Sequence, residues 1–374
     1  MKNIYLQILD QSDSSPMVLA TVTGTRGSAP QKPGSSALFN ELGLLAGTVG
    51  GGVVEGRVHK IALDALLSKQ SGHYKFDLAN DISNTEEAIC GGKISVLIDA
   101  NPDNSISVFE QIKRSLTERI PGVLITMVTK LIDNTVLINR YWMSETVKPA
   151  IPESFFEKVE AAAMSLISGA DPYDYRELEL TIPGEQTSVG FYLEPVFPVP
   201  NLVIAGAGHI GKALAHIGSM LGFEVTVIDD RQEYANSENI PDAGHIIVKD
   251  IGNALHSLNK SDDTYVVIVT RGHKDDAAAL KPCIGSDLAY LGMIGSKQKI
   301  SAMRTNFIKN GWATAKQWDK VYAPVGLDIK SQTVEEIAVS IAAQLVLVRN
   351  SRKLEVGSWK SEVGSRKSEV GRKK

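Results

Sequence analysis

The amino-acid sequence predicts an α/β protein, with a doubly wound parallel sheet in its C-terminal half and an α+β domain in its N-terminal half. Three observations support this fold class. Short apolar strands alternate with helices between about Asn201 and Asn350, a glycine-rich turn joins the first of these strands to its helix, and the N-terminal half lacks this alternation. At 374 residues, the chain exceeds what one hydrophobic core usually supports, so two domains are expected.

Composition narrows the class of protein. The net charge of -4 argues against nucleic acid as the main partner. The sequence has no apolar run long enough for a membrane helix, and its N-terminus lacks the charged and apolar regions of an export signal. The two cysteines, Cys90 and Cys283, are too few for a disulfide framework and suit a reducing compartment. We therefore expect a cytoplasmic protein without a membrane partner.

The N-terminal domain is predicted to span residues 1–196. Apolar and β-branched runs predict strands, and apolar residues at helical spacing predict helices. The predicted strands are Met17–Thr23, Ser36–Phe39, Lys93–Ile98 and Gly122–Thr129, and the predicted helices are the segment from Val54 to Leu66, Ser107–Leu116 and Glu153–Ser168. Three prolines then fall within six residues, at Pro195, Pro198 and Pro200, and indicate an extended connector between the domains.

The C-terminal domain is predicted to span residues 200–350. Its predicted strands and helices are, in order, Leu202–Ala205, Lys212–Leu221, Glu224–Ile228, Ile246–Val248, Tyr265–Thr270, Asp276–Ile284, Tyr290–Ile294 and Gln298–Asn310. Thr333 and Glu336 form a capping-box pattern that predicts the start of a last helix, continuing through Val348. Residues 351–374 carry eight Lys or Arg against three Glu in a low-complexity repeat, and we expect this tail to be disordered.

A dinucleotide fingerprint follows the strand Leu202–Ala205. Gly206 permits a tight turn, Gly208 lets the backbone approach a pyrophosphate, and Gly211 allows close packing of helix on strand. Asp229 lies at the end of the next strand, where a carboxylate normally binds a ribose hydroxyl pair. The pattern predicts a Rossmann-like domain that binds NAD or another nucleotide. The alternative is a domain that keeps the glycines for packing alone.

Further candidate residues lie at the predicted carboxyl edge of this sheet. His209 is inside the fingerprint, where it either contacts phosphate or is an exposed loop histidine. His273 and Asp276 form a candidate acid–base pair or a pair of metal ligands, and the metal interpretation is the weaker one because no third ligand lies at a clear spacing. The segment Gly295–Lys297, which includes Ser296, is either a backbone nest that binds an anion beside the lysine cation or a simple helix cap.

The N-terminal domain contains three glycine-rich or small-residue loops, each beside a predicted strand or helix end. Glycine lets backbone N–H groups approach an anion closely, although each loop alone is more often a turn. The residues that these loops contribute as candidates are Gly27, Ser28, Gly50, Gly51, Gly52, Gly91 and Gly92. Glu55 is a candidate acid or a partner of the helix dipole, and Cys90 is a candidate thiolate, whereas Cys283 is expected in the core.

Taken together, the motifs resemble those of the XdhC/CoxI family of xanthine dehydrogenase accessory factors. The matching segments are Gly27–Pro30, Gly47–Glu55, Cys90–Gly92, Gly206–Gly211, Asp229–Arg231, Thr270–Asp276, Gly295–Lys297, Pro324–Asp328 and Glu335–Ser340. The sequence departs from the family pattern at Arg271, where His is usual, and at Gln31 or Lys32, where Arg is usual.

This resemblance implies a homodimeric chaperone of the molybdenum cofactor. Such a protein would bind the molybdopterin, support its sulfuration by a cysteine desulfurase and deliver it to a xanthine dehydrogenase-type molybdenum hydroxylase. Cys90 and the glycine loops would then line the cofactor pocket, and Arg231 would belong to the nucleotide or pterin-phosphate site. Two alternatives remain open: a docking scaffold for the hydroxylase that binds no cofactor, and an NAD-dependent oxidoreductase acting on a small carbonyl substrate.

Overall fold

A computed structural model describes residues 3–11, 15–78, 92–168, 175–182 and 188–351. The chain divides between Pro198 and Val199 into two compact units, here called the N-terminal and C-terminal units. The tail was predicted to span residues 351–374; residue 351 is described, and residues 352–374 lie outside the described residues. No described helix is long and apolar enough to cross a lipid bilayer.

The N-terminal unit combines antiparallel strands with four α-helices among its described residues. Its strands are β1 (Val18–Arg26), β2 (Ser36–Asn40), β3 (Gly43–Gly47), β4 (Gly72–Asp77), β5 (Lys93–Asp99), β6 (Gly122–Lys130), β7 (Val136–Ser144), β8 (Arg176–Thr181) and β9 (Ser188–Val196), and its helices are α1 (Ile4–Gln11), α2 (Gly52–Ser68), α3 (Ile106–Thr117) and α4 (Glu153–Ser168).

Two antiparallel sheets form the framework of this unit. The first has the strand order β3-β2-β1-β5-β4 and the second has the order β7-β6-β9-β8. Helix α2 packs on the first sheet around Val58 and Phe76, and α4 packs on the second around Phe155 and Phe191. A smaller cluster that includes Leu97 joins the facing surfaces of the two sheets.

The C-terminal unit is a parallel α/β sandwich. Its strands are β10 (Asn201–Ala205), β11 (Glu224–Asp229), β12 (His245–Val248), β13 (Thr264–Ile268) and β14 (Tyr290–Met293), and its helices are α5 (His209–Met220), α6 (Ile251–Ser257), α7 (His273–Leu280), α8 (Lys297–Lys309), α9 (Ala315–Trp318) and α10 (residues 334–351). The strand order is β12-β11-β10-β13-β14, and all four pairings are parallel. From β10 the chain adds β11 and β12 on one side and then β13 and β14 on the other, so the strand order reverses at β10.

Each face of the parallel sheet is covered by a separate hydrophobic cluster. Helices α5 and α10 contribute Leu214 and Ile341 to one cluster, while α6, α7 and α8 contribute Leu255, Leu280 and Phe307 to the other. Burial on both faces explains why these strands are short, continuous apolar runs. The prediction of a doubly wound parallel sheet with an N-terminal α+β domain is therefore confirmed.

Individual elements agree to different extents with the sequence-based predictions. Helix α4 has the predicted bounds, and Thr333 and Glu336 form the predicted capping box, in which Thr333 N–H donates to the Glu336 carboxylate at 3.1 Å and Glu336 N–H donates to the Thr333 hydroxyl at 3.2 Å. Cys283 is fully buried in the core, as expected. The predictions missed the helices α1, α6 and α9 and the strands β3, β4, β7, β8 and β9.

Candidate functional site

The glycine turn after β10 lies at the point where the strand order reverses. Ligands of open parallel sheets bind outside the carboxyl ends of the strands at such a point. Gly206 has φ +121° and donates its N–H to the carbonyl of Ile228 at 2.8 Å. A Cβ at Gly211 would overlap the carbonyl oxygen of Gly206, whereas a Cβ at Gly208 would meet no atom within 4 Å. Gly206 and Gly211 therefore serve packing, and Gly208 faces open space.

Helix α5 begins at this turn with unused hydrogen-bond donors. Its first backbone bond runs from Lys212 N–H to the Gly208 carbonyl at 2.9 Å, and no side chain in the described part of the chain caps the helix. Among the described residues, no acceptor contacts the N–H groups from Gly208 to Gly211. Together with the helix dipole, such donors favour a bound anion. The side chain of His209 is exposed beside them.

Asp229 ends β11 as a fully engaged carboxylate. Its Oδ1 accepts hydrogen bonds from the Arg231 backbone N–H at 3.0 Å and from Arg231 Nε at 2.9 Å, and its Oδ2 accepts from another Arg231 nitrogen at 2.9 Å and from Ala207 N–H at 2.8 Å. Burial opposes the charge of Asp229, but these bonds prevail and lower its pKa to about 2. The carboxylate predicted to bind a ribose thus binds the glycine turn and Arg231 in this structure.

Asp230 and Arg271 bridge the crevice above β10. The guanidinium of Arg271, which follows β13, contacts the Asp230 carboxylate at 3.0 Å and the Asp275 carboxylate at 3.3 Å. Asp230 follows β11, and β11 and β13 flank β10 on opposite sides. All three side chains are substantially exposed, so a ligand in the crevice would meet them directly.

Asp276 lies in the first turn of α7 and is 5% exposed. Its Oδ1 accepts a hydrogen bond from the Thr270 hydroxyl at 2.5 Å. The helix begins at His273, but the side chain of His273 lies outside the described part of the structure, so the predicted acid–base pair stays a prediction. No cluster of His, Cys, Asp or Glu suited to a metal ion occurs among the described residues.

The segment Gly295–Lys297 begins α8. The Ser296 hydroxyl accepts the backbone N–H of Lys299 at 3.3 Å, and the Lys297 side chain is exposed. Ser296 is therefore a helix cap, which is the simpler of the two interpretations that the sequence allowed. An additional role of Lys297 toward an anion stays a prediction.

The glycine loops of the N-terminal unit meet one another. A Cβ at Gly50 would lie 2.7 Å from Pro30 Cγ, so the loop after β3 packs on the loop that begins at Gly27. A Cβ at Gly92 would overlap the carbonyl oxygens of Ser28 and Arg26, so the chain before β5 approaches the same loop. Only glycine permits these approaches. Cys90 and Gly91 lie outside the described residues.

Glu55 is bound to the glycine loop that precedes α2. Its carboxylate accepts hydrogen bonds from the Thr48 hydroxyl at 2.8 Å and from Gly51 N–H at 3.0 Å. Gly51 and Gly52 both have positive φ, and a Cβ at either would meet no atom within 4 Å. Glu55 therefore stabilises the start of α2, while the glycines beside it remain open to a ligand.

A cleft of about 1490 Å³ opens between the two sheets of the N-terminal unit; we call it the N-terminal cleft. Arg26 and Lys93, which border the glycine loops, are among its lining residues. His73 lines the cleft and contacts the Thr23 hydroxyl at 2.8 Å. Burial, followed by the nearby charges of Lys75 and Lys130, lowers the pKa of His73.

An internal polar cluster of the N-terminal unit was not predicted. Buried Arg140 forms an ion pair with buried Asp99, and the Tyr5 hydroxyl donates to the Glu194 carboxylate at 2.6 Å. Burial raises the pKa of Glu194 to about 7, although the Tyr5 hydrogen bond and Arg140 act in the opposite direction. Since these partners come from distant parts of the chain, no local pattern signals the cluster.

Comparison with known proteins extends these observations. Two family models match the chain: the XdhC Rossmann domain over residues 202–345 and the XdhC and CoxI family over residues 11–77. The uncharacterized protein YqeB of Escherichia coli is 32% identical over 153 residues, which are 41% of this chain and only 28% of that protein. A probable xanthine dehydrogenase subunit from Bacillus subtilis is 26% identical over 342 residues, or 90% of this chain and 94% of the relative.

A solved structure shares the architecture. A crystal structure of a xanthine dehydrogenase from Bacillus halodurans superposes with a TM-score of 0.73 at 24% identity, covering 93% of this chain and 96% of the other. At this identity the likeness establishes the fold alone. The two family models lie one in each unit and together span more than half of the chain. The chain belongs to the XdhC and CoxI family.

Proposed function

We propose that this protein is an accessory factor of a xanthine dehydrogenase-type molybdenum hydroxylase, and that it binds the molybdenum cofactor, supports its sulfuration and delivers it to the enzyme. Family membership supports the accessory role. The relative in Bacillus subtilis, which matches nearly the whole chain, is described as a probable component of xanthine dehydrogenase. The proposal also includes a cysteine desulfurase as partner, a homodimer and a cytoplasmic location.

The meeting of the glycine loops in the N-terminal unit carries the cofactor proposal. Gly50 packs on Pro30, and Gly92 packs on Ser28 and Arg26, so loops far apart in sequence present backbone at one place. Such backbone permits close approach of an oxygen-rich, anionic guest. We propose that Cys90, two residues before Gly92 in sequence, supplies a thiolate to the same pocket.

The C-terminal unit offers donors that suit the phosphate of a pterin or a nucleotide. The open N–H groups from Gly208 to Gly211 would hold the phosphate, and Arg271 would contribute a cation from the loop after the neighbouring strand β13. When bound, the molybdenum cofactor supplies the oxygen-transfer chemistry of the hydroxylase. This chain would supply binding, orientation and protection from water.

The oxidoreductase alternative has less support. Asp229, which a dinucleotide enzyme would use for ribose, makes four hydrogen bonds within the protein. Asp276, the candidate catalytic acid, is buried against Thr270. The docking scaffold is the stronger alternative, since it requires only a surface for the hydroxylase.

The test is retention of the cofactor by purified protein. The full chain would be produced in cells that make the molybdenum cofactor and in cells that cannot, and molybdenum and pterin would be measured per protein chain. We expect both only in the first preparation. Cys90→Ser should lower the molybdenum content at least fivefold, while the thiol control Cys283→Ala, in the core, should leave it unchanged.

A second measurement separates chaperone from scaffold. Hydroxylase prepared without cofactor would be mixed with protein loaded in cofactor-competent cells, and enzyme activity would be followed. Activation by loaded but not by unloaded protein supports delivery. Binding to the hydroxylase with no molybdenum in any preparation would instead favour the scaffold, and NADH turnover with a small carbonyl compound would favour the oxidoreductase.

A further inference from the structure

Strand β4 presents a free edge to the N-terminal cleft. Among the described residues it is the last strand of its sheet, in the order β3-β2-β1-β5-β4, and there it pairs with β5 alone. All six residues from Gly72 to Asp77 line the cleft. Consecutive side chains of a strand point to opposite faces of the sheet, so one face of β4 could contribute only every second residue to the cleft. Because all six residues line the cleft, the backbone edge of β4 must border it.

The register identifies the backbone groups on this edge. Leu78 N–H donates to the Gly92 carbonyl at 2.9 Å, and the pairing continues with Phe76 opposite Ile94. Antiparallel pairs alternate between hydrogen-bonded and non-hydrogen-bonded, so the backbone groups of His73 and Lys75 point away from β5. Within the described ranges, nothing pairs with them.

The other walls of the cleft are the second sheet and helix α2. The second sheet contributes only alternate residues, Glu177 and Glu179 on β8, and so presents one face. Helix α2 contributes Ile61, Asp64 and Ser68, which share one helical face. Because the second sheet and α2 flank the edge of β4, the sheet of another protein could not pair with it. A single extended segment could still add to it.

The charges of the cleft favour a polypeptide over an anionic small molecule. Four cationic side chains, Arg26, Lys75, Lys93 and Lys130, are matched by four acidic ones, Asp64, Asp77, Glu177 and Glu179. A nucleotide or a pterin phosphate would face four carboxylates in this cleft. A peptide strand presents neutral main-chain amides at fixed spacing and side chains of both signs, which this lining matches.

We propose that the N-terminal cleft binds an extended segment of a partner polypeptide, which adds to the free edge of β4 as an antiparallel or parallel strand. Main-chain hydrogen bonds to His73 and Lys75 would supply affinity. Basic residues two positions apart in the segment would face Glu177 and Glu179, because side chains of an added strand alternate between the second sheet and α2. Identification of the partner as the hydroxylase rests on the proposed function.

The test uses the full chain and purified hydroxylase that lacks its cofactor. Lys75→Pro removes the outward N–H of the edge without removing a bond to β5, and Lys75→Ala removes the charge but keeps the N–H. We expect Lys75→Pro to weaken hydroxylase binding at least tenfold and Lys75→Ala to change it less than threefold. Both variants should retain wild-type molybdenum content, which separates this result from failure of the cofactor proposal.

Hydrogen–deuterium exchange of the unmodified chain gives a second measurement that does not depend on folding of the proline variant. Exchange at His73 and Lys75 should slow at least tenfold when hydroxylase is added. The proposal is overturned if exchange in β4 is unchanged, if the two Lys75 variants bind alike, or if the wild-type chain does not bind. A change of oligomeric state in Lys75→Pro alone would show a second copy on this edge and would also overturn it.

Discussion

The carboxylate of Asp229 accepts a hydrogen bond from the backbone N–H of Ala207, so the acid that ends β11 holds the glycine turn that follows β10. The same carboxylate is clamped by the guanidinium of Arg231, which also lies over the Tyr234 ring at 4.0 Å. The turn is therefore held in place from within the protein before any ligand arrives. A site that is organised in advance loses less entropy on binding.

Asp229→Asn should destabilise the C-terminal unit by about 2 kcal/mol at pH 7, because Arg231 loses its charged partner. The folded-state pKa of Asp229 is about 2, below its usual 3.8. Its stabilising contribution is therefore present above pH 3.8 and is lost as the pH falls toward 2. Urea unfolding across this range checks the sign. Asp230→Asn, an exposed control, should cost less than about 0.5 kcal/mol, and equal losses in the two variants would contradict the assignment.

Glu194→Gln should remove a pH dependence from the N-terminal unit. Burial raises the pKa of Glu194 from 4.5 to about 7, so folding favours the protonated acid, and stability falls as the pH rises from 4.5 through 7. Glutamine is neutral and can still accept the Tyr5 hydrogen bond. Unfolding at pH 4.5 and pH 8 should show a gain for the variant of about 2 kcal/mol at pH 8 only. Glu179→Gln, at an exposed position, should show no such gain.

Asp99→Asn should cost about 3 kcal/mol, because it leaves Arg140 charged and without its ion-pair partner in the interior. Both side chains are at most 5% exposed. Among the described residues, Arg140 also contacts Ser105 at 3.4 Å and the Phe109 ring, and its charge acts on Glu194. Denaturant unfolding at pH 7 measures the loss. Asp319→Asn interrupts the exposed pair with Arg304 and should cost less than about 1 kcal/mol. A loss at Asp99 as small as that at Asp319 would refute the expected cost.

The C-terminal unit could be predicted from sequence because its signals are local. Strand β10 is buried on both faces and reads as a continuous apolar run, and the glycine turn follows within a few residues. The capping box at Thr333 is likewise complete within four positions. The sequence could not show that the Arg231 guanidinium would donate hydrogen bonds to both carboxylate oxygens of Asp229, since these bonds depend on the conformation of the chain after β11.

Much of the N-terminal unit was not predicted, because its strands and polar contacts form between residues that are far apart in the sequence. Strand β4 mixes exposed and buried residues without clear alternation, and it becomes a strand through pairing with β5. Tyr5 and Glu194 are 189 residues apart in sequence, yet share one hydrogen bond. The glycine loops were identified individually, whereas the contacts of Gly50 and Gly92 with the loop at Gly27–Pro30 required the fold.

Gly208 and Gly211 offer a matched pair of variants for the anion site at α5. A Cβ at Gly211 would overlap the Gly206 carbonyl, so Gly211→Ala should destabilise the unit by more than about 2 kcal/mol. Gly208 has φ −70° and a Cβ there meets no atom, so Gly208→Ala should fold as the wild type does. Its methyl group would nevertheless stand beside the open N–H groups at the helix start.

Calorimetry with inorganic pyrophosphate and with NADH provides the measurement for this pair. We expect Gly208→Ala to bind whichever ligand the wild type binds at least tenfold more weakly, with an unchanged unfolding temperature. Binding by the wild type should weaken as salt increases, because the contact is electrostatic. Undiminished affinity in Gly208→Ala would mean that the donors from Gly208 to Gly211 do not hold a phosphate, and the turn would then serve only to pack α5 on β10.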